Sequence, residues 1–122
     1  MSQMSQPTSP IELTGSASRL DGAVELPDGF HAELRGCCEI VEQIDAVADA
    51  SRDWWPLAMH WSLSGSVLQR AAAVARPADA AEVAAVLRLC NHHRVPVTPA
   101  GGRSSVVGGT VPAFGGVLLD LT

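Results

Sequence analysis

Between two apolar runs near the end of the chain lies Pro99-Ala100-Gly101-Gly102-Arg103-Ser104-Ser105-Val106-Val107-Gly108-Gly109. Of the whole sequence, this stretch holds the residue types most suited to chemistry. Its two glycine pairs permit positive φ and close approach of a ligand to the backbone. Consecutive N–H groups in such a loop converge into an anion-binding concavity. Two hydroxyls and one guanidinium stand between the pairs. Neutral donors plus one cation suit a pyrophosphate, whose oxygens only accept hydrogen bonds. A glycine-rich turn that merely joins two strands has the same composition, and residue types alone leave the two readings level.

Two familiar phosphate motifs are absent. G-x-G-x-x-G fails because Arg103 and Ser104 stand where its second glycine is required, and a Walker A sequence fails because the chain has no Lys. Other reactive residues form no constellation. Cys90 and His93 are spaced i, i+3 on one helical pattern with His92 beside them, but a zinc site needs three or four ligands and no second cluster follows. His60 has no Ser, Cys or carboxylate at a catalytic spacing. Cys37 and Cys38 have only Arg35 nearby in sequence to lower a thiol pKa.

The elements that must position the loop are legible around it. Ala72 to Arg76 reads as a strand ending at Pro77. Asp79 and Glu82 form a D-x-x-E capping box, and Val83, Val86, Leu87 and Cys90 make the apolar stripe of the helix behind it. Asn91 to Arg94 close that helix with cations at the negative end of its dipole. Val95 to Thr98 is the next strand, with Pro96 needing an edge or first position, and Val117 to Leu121 the third. Strand, capped helix and strand within ~30 residues is a βαβ pattern, which predicts a parallel pair and a right-handed crossover. Upstream, Cys38 to Ala50 reads as one amphipathic helix with Glu39, Glu42, Asp45 and Asp49 on a solvated face. Asp53 is placed to cap a short helix carrying Trp54, Leu57, Ala58 and Trp61. Those indoles read first as packing anchors and second as neighbours of a planar ligand. The organisation expected is a flexible leader over 1–36 with an ordered patch near Phe30, a helical lead-in over 37–66, and a Gly-loop domain over 67–122.

Composition bounds the function classes. The chain has 122 residues, 47% of them hydrophobic, and 8 basic residues, all Arg, against 13 acidic ones, for a net charge of −5. Size and hydrophobic content fit one folded domain. Scattered arginines on an acidic chain argue against nucleic acid as a partner. No apolar stretch approaches the ~20 residues of a membrane span, and Met1 to Pro10 lacks the basic and apolar regions of a secretory signal. Three cysteines, two of them adjacent, make no disulfide framework. The expected location is cytoplasmic.

Taken together, Arg76-Pro77, the helix from Glu82-Val83, Val95-Pro96-Val97-Thr98-Pro99-Ala100-Gly101-Gly102-Arg103-Ser104 and Gly115-Gly116-Val117-Leu118-Leu119-Asp120-Leu121 resemble the start of an FAD-binding domain of the vanillyl-alcohol-oxidase, or PCMH, type. Within that group the chain looks most like FAD-linked oxidases related to alkyldihydroxyacetonephosphate synthase, where a lead-in similar to Trp54-Trp55-Pro56-Leu57 also occurs. The likeness runs over roughly 51–122 and rests on the elements occurring in order.

The resemblance implies an α+β fold and FAD as cofactor. Its pyrophosphate would be wrapped by Pro99, Ala100, Gly101, Gly102, Arg103, Ser104 and Ser105 and by Gly108 and Gly109. Many relatives have a third glycine where Arg103 stands, so this chain gains a cation beside the diphosphate and loses backbone freedom. Covalent members often carry a His near that position. None occurs between Arg94 and Thr122, so the flavin is expected to be held non-covalently. Family members continue past the strand ending at Leu121 into a substrate domain. The chain is therefore expected to be the N-terminal part of an oxidoreductase or an alkylglycerone-phosphate-synthase-like enzyme, with its small-molecule substrate and catalytic residues set by the remainder. A hydroxy acid or alcohol would give hydride to the flavin in the first branch, and an acyl group would be exchanged for an alkyl group in the second. The alternative is a truncated, non-catalytic nucleotide-binding or interaction fragment that self-associates through an exposed strand edge.

Overall fold

A computed structural model describes residues 19, 20 and 22–122; the expected leader lies outside the described residues as far as Ser18. In chain order the elements are α1 (Phe30–Arg35), β1 (Glu39–Val41), α2 (Ile44–Ala50), α3 (Pro56–Ser62), β2 (Ala73–Arg76), α4 (Ala80–His93), β3 (Val97–Ala100) and β4 (Val117–Asp120). The four strands form one sheet in the order β1-β2-β4-β3. β1 runs antiparallel to β2, with Ile40 opposite Ala75, and β4 is parallel to both of its neighbours. The fold is thus α+β around a largely parallel sheet.

The sequence explains the centre of the sheet. All four residues of β4 are buried, as befits a near-continuous apolar strand flanked on both sides and covered on both faces. Alternation along the strands divides the core into two layers. Ala73, Ala75, Val117 and Leu119 face Val86 and Cys90 of α4 and Phe30 and Leu34 of α1. Val74 and Leu118 face the other way, toward Val47 of α2. Phe30 and Leu34 are thus part of the main core, at the ordered patch expected near Phe30 within the leader.

α4 follows its sequence signals closely. Asp79 accepts a hydrogen bond from the Glu82 N–H at 2.9 Å, while the Glu82 carboxylate reaches back to the N–H of Ala78 rather than of Asp79. Its buried stripe is narrower than predicted, since Val86 and Cys90 are buried but Leu87 is exposed. Arg94 ends the helix in the left-handed conformation, its N–H bonded to the carbonyls of Asn91 and Cys90.

Four expectations need correction. Residues 38–50 are not one helix, because Glu39–Val41 is a strand whose ladder to β2 outweighs a helical period too short to enforce itself. Asp53 does not cap α3. Trp55 holds the N-cap position with Pro56 after it, and the Asp53 carboxylate instead accepts the Trp55 N–H at 2.9 Å. The parallel strands β2 and β3 are not hydrogen-bonded neighbours, since β4 lies between them. The strand predicted over Val95 to Thr98 also begins later than expected, as β3, with Pro99 rather than Pro96 inside it. β3 is an edge strand, where a residue without an N–H is tolerated.

Candidate functional site at the carboxyl ends of the parallel strands

Because β2, β4 and β3 run parallel, their last residues, Arg76, Asp120 and Ala100, lie along one edge of the sheet. In open α/β sheets this carboxyl edge is where ligands bind. Arg76 Nε lies 3.5 Å from Asp120 Oδ2 across adjacent strands. A cleft of about 330 Å³ opens beside them, lined also by Glu39, Pro77, Ala78 and Thr122. The Asp120 carboxylate is fixed further by the N–H and hydroxyl of Thr122, at 3.0 and 2.6 Å.

The glycine loop leaves β3 at this edge. Its residues, grouped by sequence as one site, play three different parts. Gly101, Gly102 and Ser104 are exposed, and a Cβ built on either glycine would meet nothing within 4 Å. Among the described residues, the N–H groups of Gly101, Gly102, Arg103 and Ser104 make no hydrogen bond. They form a run of consecutive free donors at the edge where an anion would lie. Ala100 is buried in the sheet, and its carbonyl accepts the Leu121 N–H at 2.9 Å; Pro99 is exposed and has no N–H to offer.

Arg103 has its backbone in the left-handed region, with φ 56°, and its residue surface is 3% exposed. The side chain therefore lies within the protein rather than out beside the loop's exposed donors. Among the described residues, Nε and Nη2 are buried without a hydrogen-bond partner. Burial lowers the guanidinium from its ordinary value to about 10, while Asp120 and Asp49 oppose that loss and Arg76 adds to it. It stays charged at neutral pH and sits among the groups that close the strand ends.

The far half of the loop is tied into itself and to the lead-in. The Ser105 hydroxyl accepts N–H groups from Val107 at 3.4 Å and Gly109 at 3.3 Å, so it is engaged within the loop. The Ser105 carbonyl accepts the Trp54 N–H at 2.9 Å. Gly108 has φ 78°, and a Cβ there would lie 3.1 Å from the Trp55 ring. The Trp55 indole thus packs beside the loop rather than in a buried stripe. Trp54 and Leu57 are exposed, whereas Ala58 and Ser62 are the buried residues of α3. Sequence reasoning missed Arg76, Asp120, Asp53 and Trp55 as parts of this region. The available signal was that Arg76 ends its predicted strand and Asp120 lies one residue from the end of its own.

Elsewhere the chemistry is sparse. Among the described residues no cluster of three or more His, Cys, Asp or Glu could hold a metal ion, and no helix is long and apolar enough to cross a membrane.

Comparison with known proteins agrees with this geometry. Residues 71–122 match the family model described as FAD binding domain. The D-lactate dehydrogenase of Anaerostipes hadrus is 56% identical over 41 residues, covering 34% of this chain and 9% of that protein. The mitochondrial D-2-hydroxyglutarate dehydrogenase of Arabidopsis thaliana is 30% identical over 92 residues, covering 75% of this chain and 15% of that protein. A solved alkyldihydroxyacetonephosphate synthase superposes with a TM-score of 0.72 at 20% identity, covering 93% of this chain and 23% of that one. The chain therefore spans less than a quarter of the length of the relatives described here. The fold is that of the FAD-binding PCMH type, and residues 71–122 match the FAD binding domain model. FAD is the cofactor of this domain. The loop suits it, since a run of free N–H donors beneath glycines without a Cβ is a cradle for a diphosphate.

Proposed function

We propose that the chain binds FAD non-covalently, with the pyrophosphate seated on the N–H groups of Gly101, Gly102, Arg103 and Ser104. The observation that carries this reading is the run of donors at the carboxyl end of β3 that have no partner among the described residues, reached through two glycines that leave the approach open. Gly108, Gly109 and Ser105 shape the loop, and Pro99 and Ala100 deliver it from the sheet. The Arg103 guanidinium contributes positive potential from within the protein, with Asp120 and Asp49 as its counter-charges. When bound, FAD would supply hydride acceptance at its isoalloxazine ring.

We assign the whole enzyme to the oxidoreductase branch, acting on a 2-hydroxy acid. Support comes from the relatives, whose names include D-lactate dehydrogenase, D-2-hydroxyglutarate dehydrogenase and glycolate oxidase. The likeness to alkyldihydroxyacetonephosphate synthase, at 20% identity, speaks for the fold and not for that reaction. Self-association through a strand edge is the weaker alternative. The outer strands have three and four residues, and Pro99 interrupts the donors of β3. The three free thiols suit a reducing compartment such as the cytoplasm. Titration of the chain into FAD, followed by flavin fluorescence, tests the binding. Saturable quenching supports the proposal, and emission unchanged at high protein concentration refutes it.

A further inference from the structure

We propose that Trp55 is the positioning residue of the pyrophosphate loop, an inference that rests on the reading of Gly101–Ser104 as the seat of FAD. The connection 101–116 contains no helix or strand, and a connection of that length needs something to hold it in one shape. The lead-in supplies that hold at three successive residues. Asp53, fully buried, accepts the Trp55 N–H at 2.9 Å and so fixes the turn. Trp54 donates its N–H to the Ser105 carbonyl at 2.9 Å. The Trp55 ring lies close against Gly108, where a Cβ would stand 3.1 Å from Cε3 and 3.4 Å from Cζ3 and would press the ring aside.

The ring is itself braced. Trp61 meets it edge to face at 5.5 Å between centroids, and the Arg19 guanidinium lies 4.7 Å from the centroid of Trp61 on its own account. The far half of the loop, 105–109, is therefore gripped from outside, while the near half keeps its donors free. A loop ordered during folding does not have to be ordered again on binding, so its affinity for a diphosphate is higher. Trp55 acts on FAD through Gly108 and need not touch it.

The test is the dissociation constant for FAD, from flavin fluorescence, in variants of the full chain with far-UV circular dichroism as the check on folding. Trp55→Ala should weaken FAD binding about tenfold, and Trp55→Phe should recover most of that loss because a flat ring still faces Gly108. Gly108→Ala guards against a Trp55→Ala chain that does not fold. It should weaken FAD binding in the Trp55 background and do so less in the Trp55→Phe background, where the smaller ring yields space. A purely structural tryptophan would give no such coupling. If Gly102→Val abolishes binding while Trp55→Ala leaves it intact, or if the effects at 55 and 108 simply add, the positioning role is wrong and the pyrophosphate reading survives. If Gly102→Val leaves FAD affinity at the wild-type value, the pyrophosphate reading fails and the role of Trp55 falls with it.

Discussion

The N–H of Trp54 donates to the carbonyl of Ser105 at 2.9 Å, so a segment between two helices is bonded to the middle of a glycine-rich loop distant from it in sequence. The bond divides the loop. On one side Gly101 to Ser104 keep their donors free; on the other, 105–109 are held by the lead-in and by the Ser105 hydroxyl. The binding chemistry and the structural support are thus carried by adjacent residues that composition alone would place together.

Gly116 is a point where the fold tolerates no side chain. Its φ is 74°, and a Cβ would collide with the carbonyl oxygen of Pro96. Gly116→Ala is expected to destabilise the chain by roughly 3 kcal/mol or more, through backbone strain together with displacement of the β3 entry. Chemical denaturation would show this as a lower midpoint with the slope unchanged.

The α4 cap makes a smaller contribution. Asp79→Ala removes the acceptor for the Glu82 N–H and should cost about 1 kcal/mol. Thermal unfolding should show a Tm lower by several degrees, with FAD affinity less affected than by any change in the loop.

Cys90 sets a pH dependence. Burial pushes its thiol from 9.0 up to about 11, and Cys38 shifts in the same direction. Between pH 9 and 11 the unfolded chain loses the Cys90 proton while the folded chain keeps it. Stability present below pH 9 is therefore lost as the pH rises through that window. The loss attributable to Cys90 should be of the order of 2 kcal/mol. Cys90→Ala should flatten the curve of stability against pH across that interval, and at pH 8 the Cys90 thiol should react with iodoacetamide only after denaturation.

What the sequence made legible were features decided locally. The α4 stripe and cap, the apolar run of β4 and the glycine pairs each contain their own cause within a few residues. The residues of β1 share the helical period of their neighbours, and three residues cannot declare a strand; only the ladder to β2, with Glu39 opposite Arg76, makes them one. Arg103 was legible as a cation in the loop but not as a buried one, because its burial depends on strand ends that meet only in the fold. The grip of Trp55 on Gly108 was hidden for the same reason, since neither residue signals the other.

The central claim is that Gly101 to Ser104 receive the pyrophosphate of FAD, and Gly102→Val tests it most directly. A Cβ at Gly102 meets no protein atom within 4 Å, so the substitution changes the ligand's approach while leaving internal packing in place. The account predicts that the wild-type chain quenches flavin fluorescence saturably. The variant, with an unchanged circular dichroism spectrum and Tm, should bind FAD at least about tenfold more weakly. Equal affinity in the two chains would contradict it.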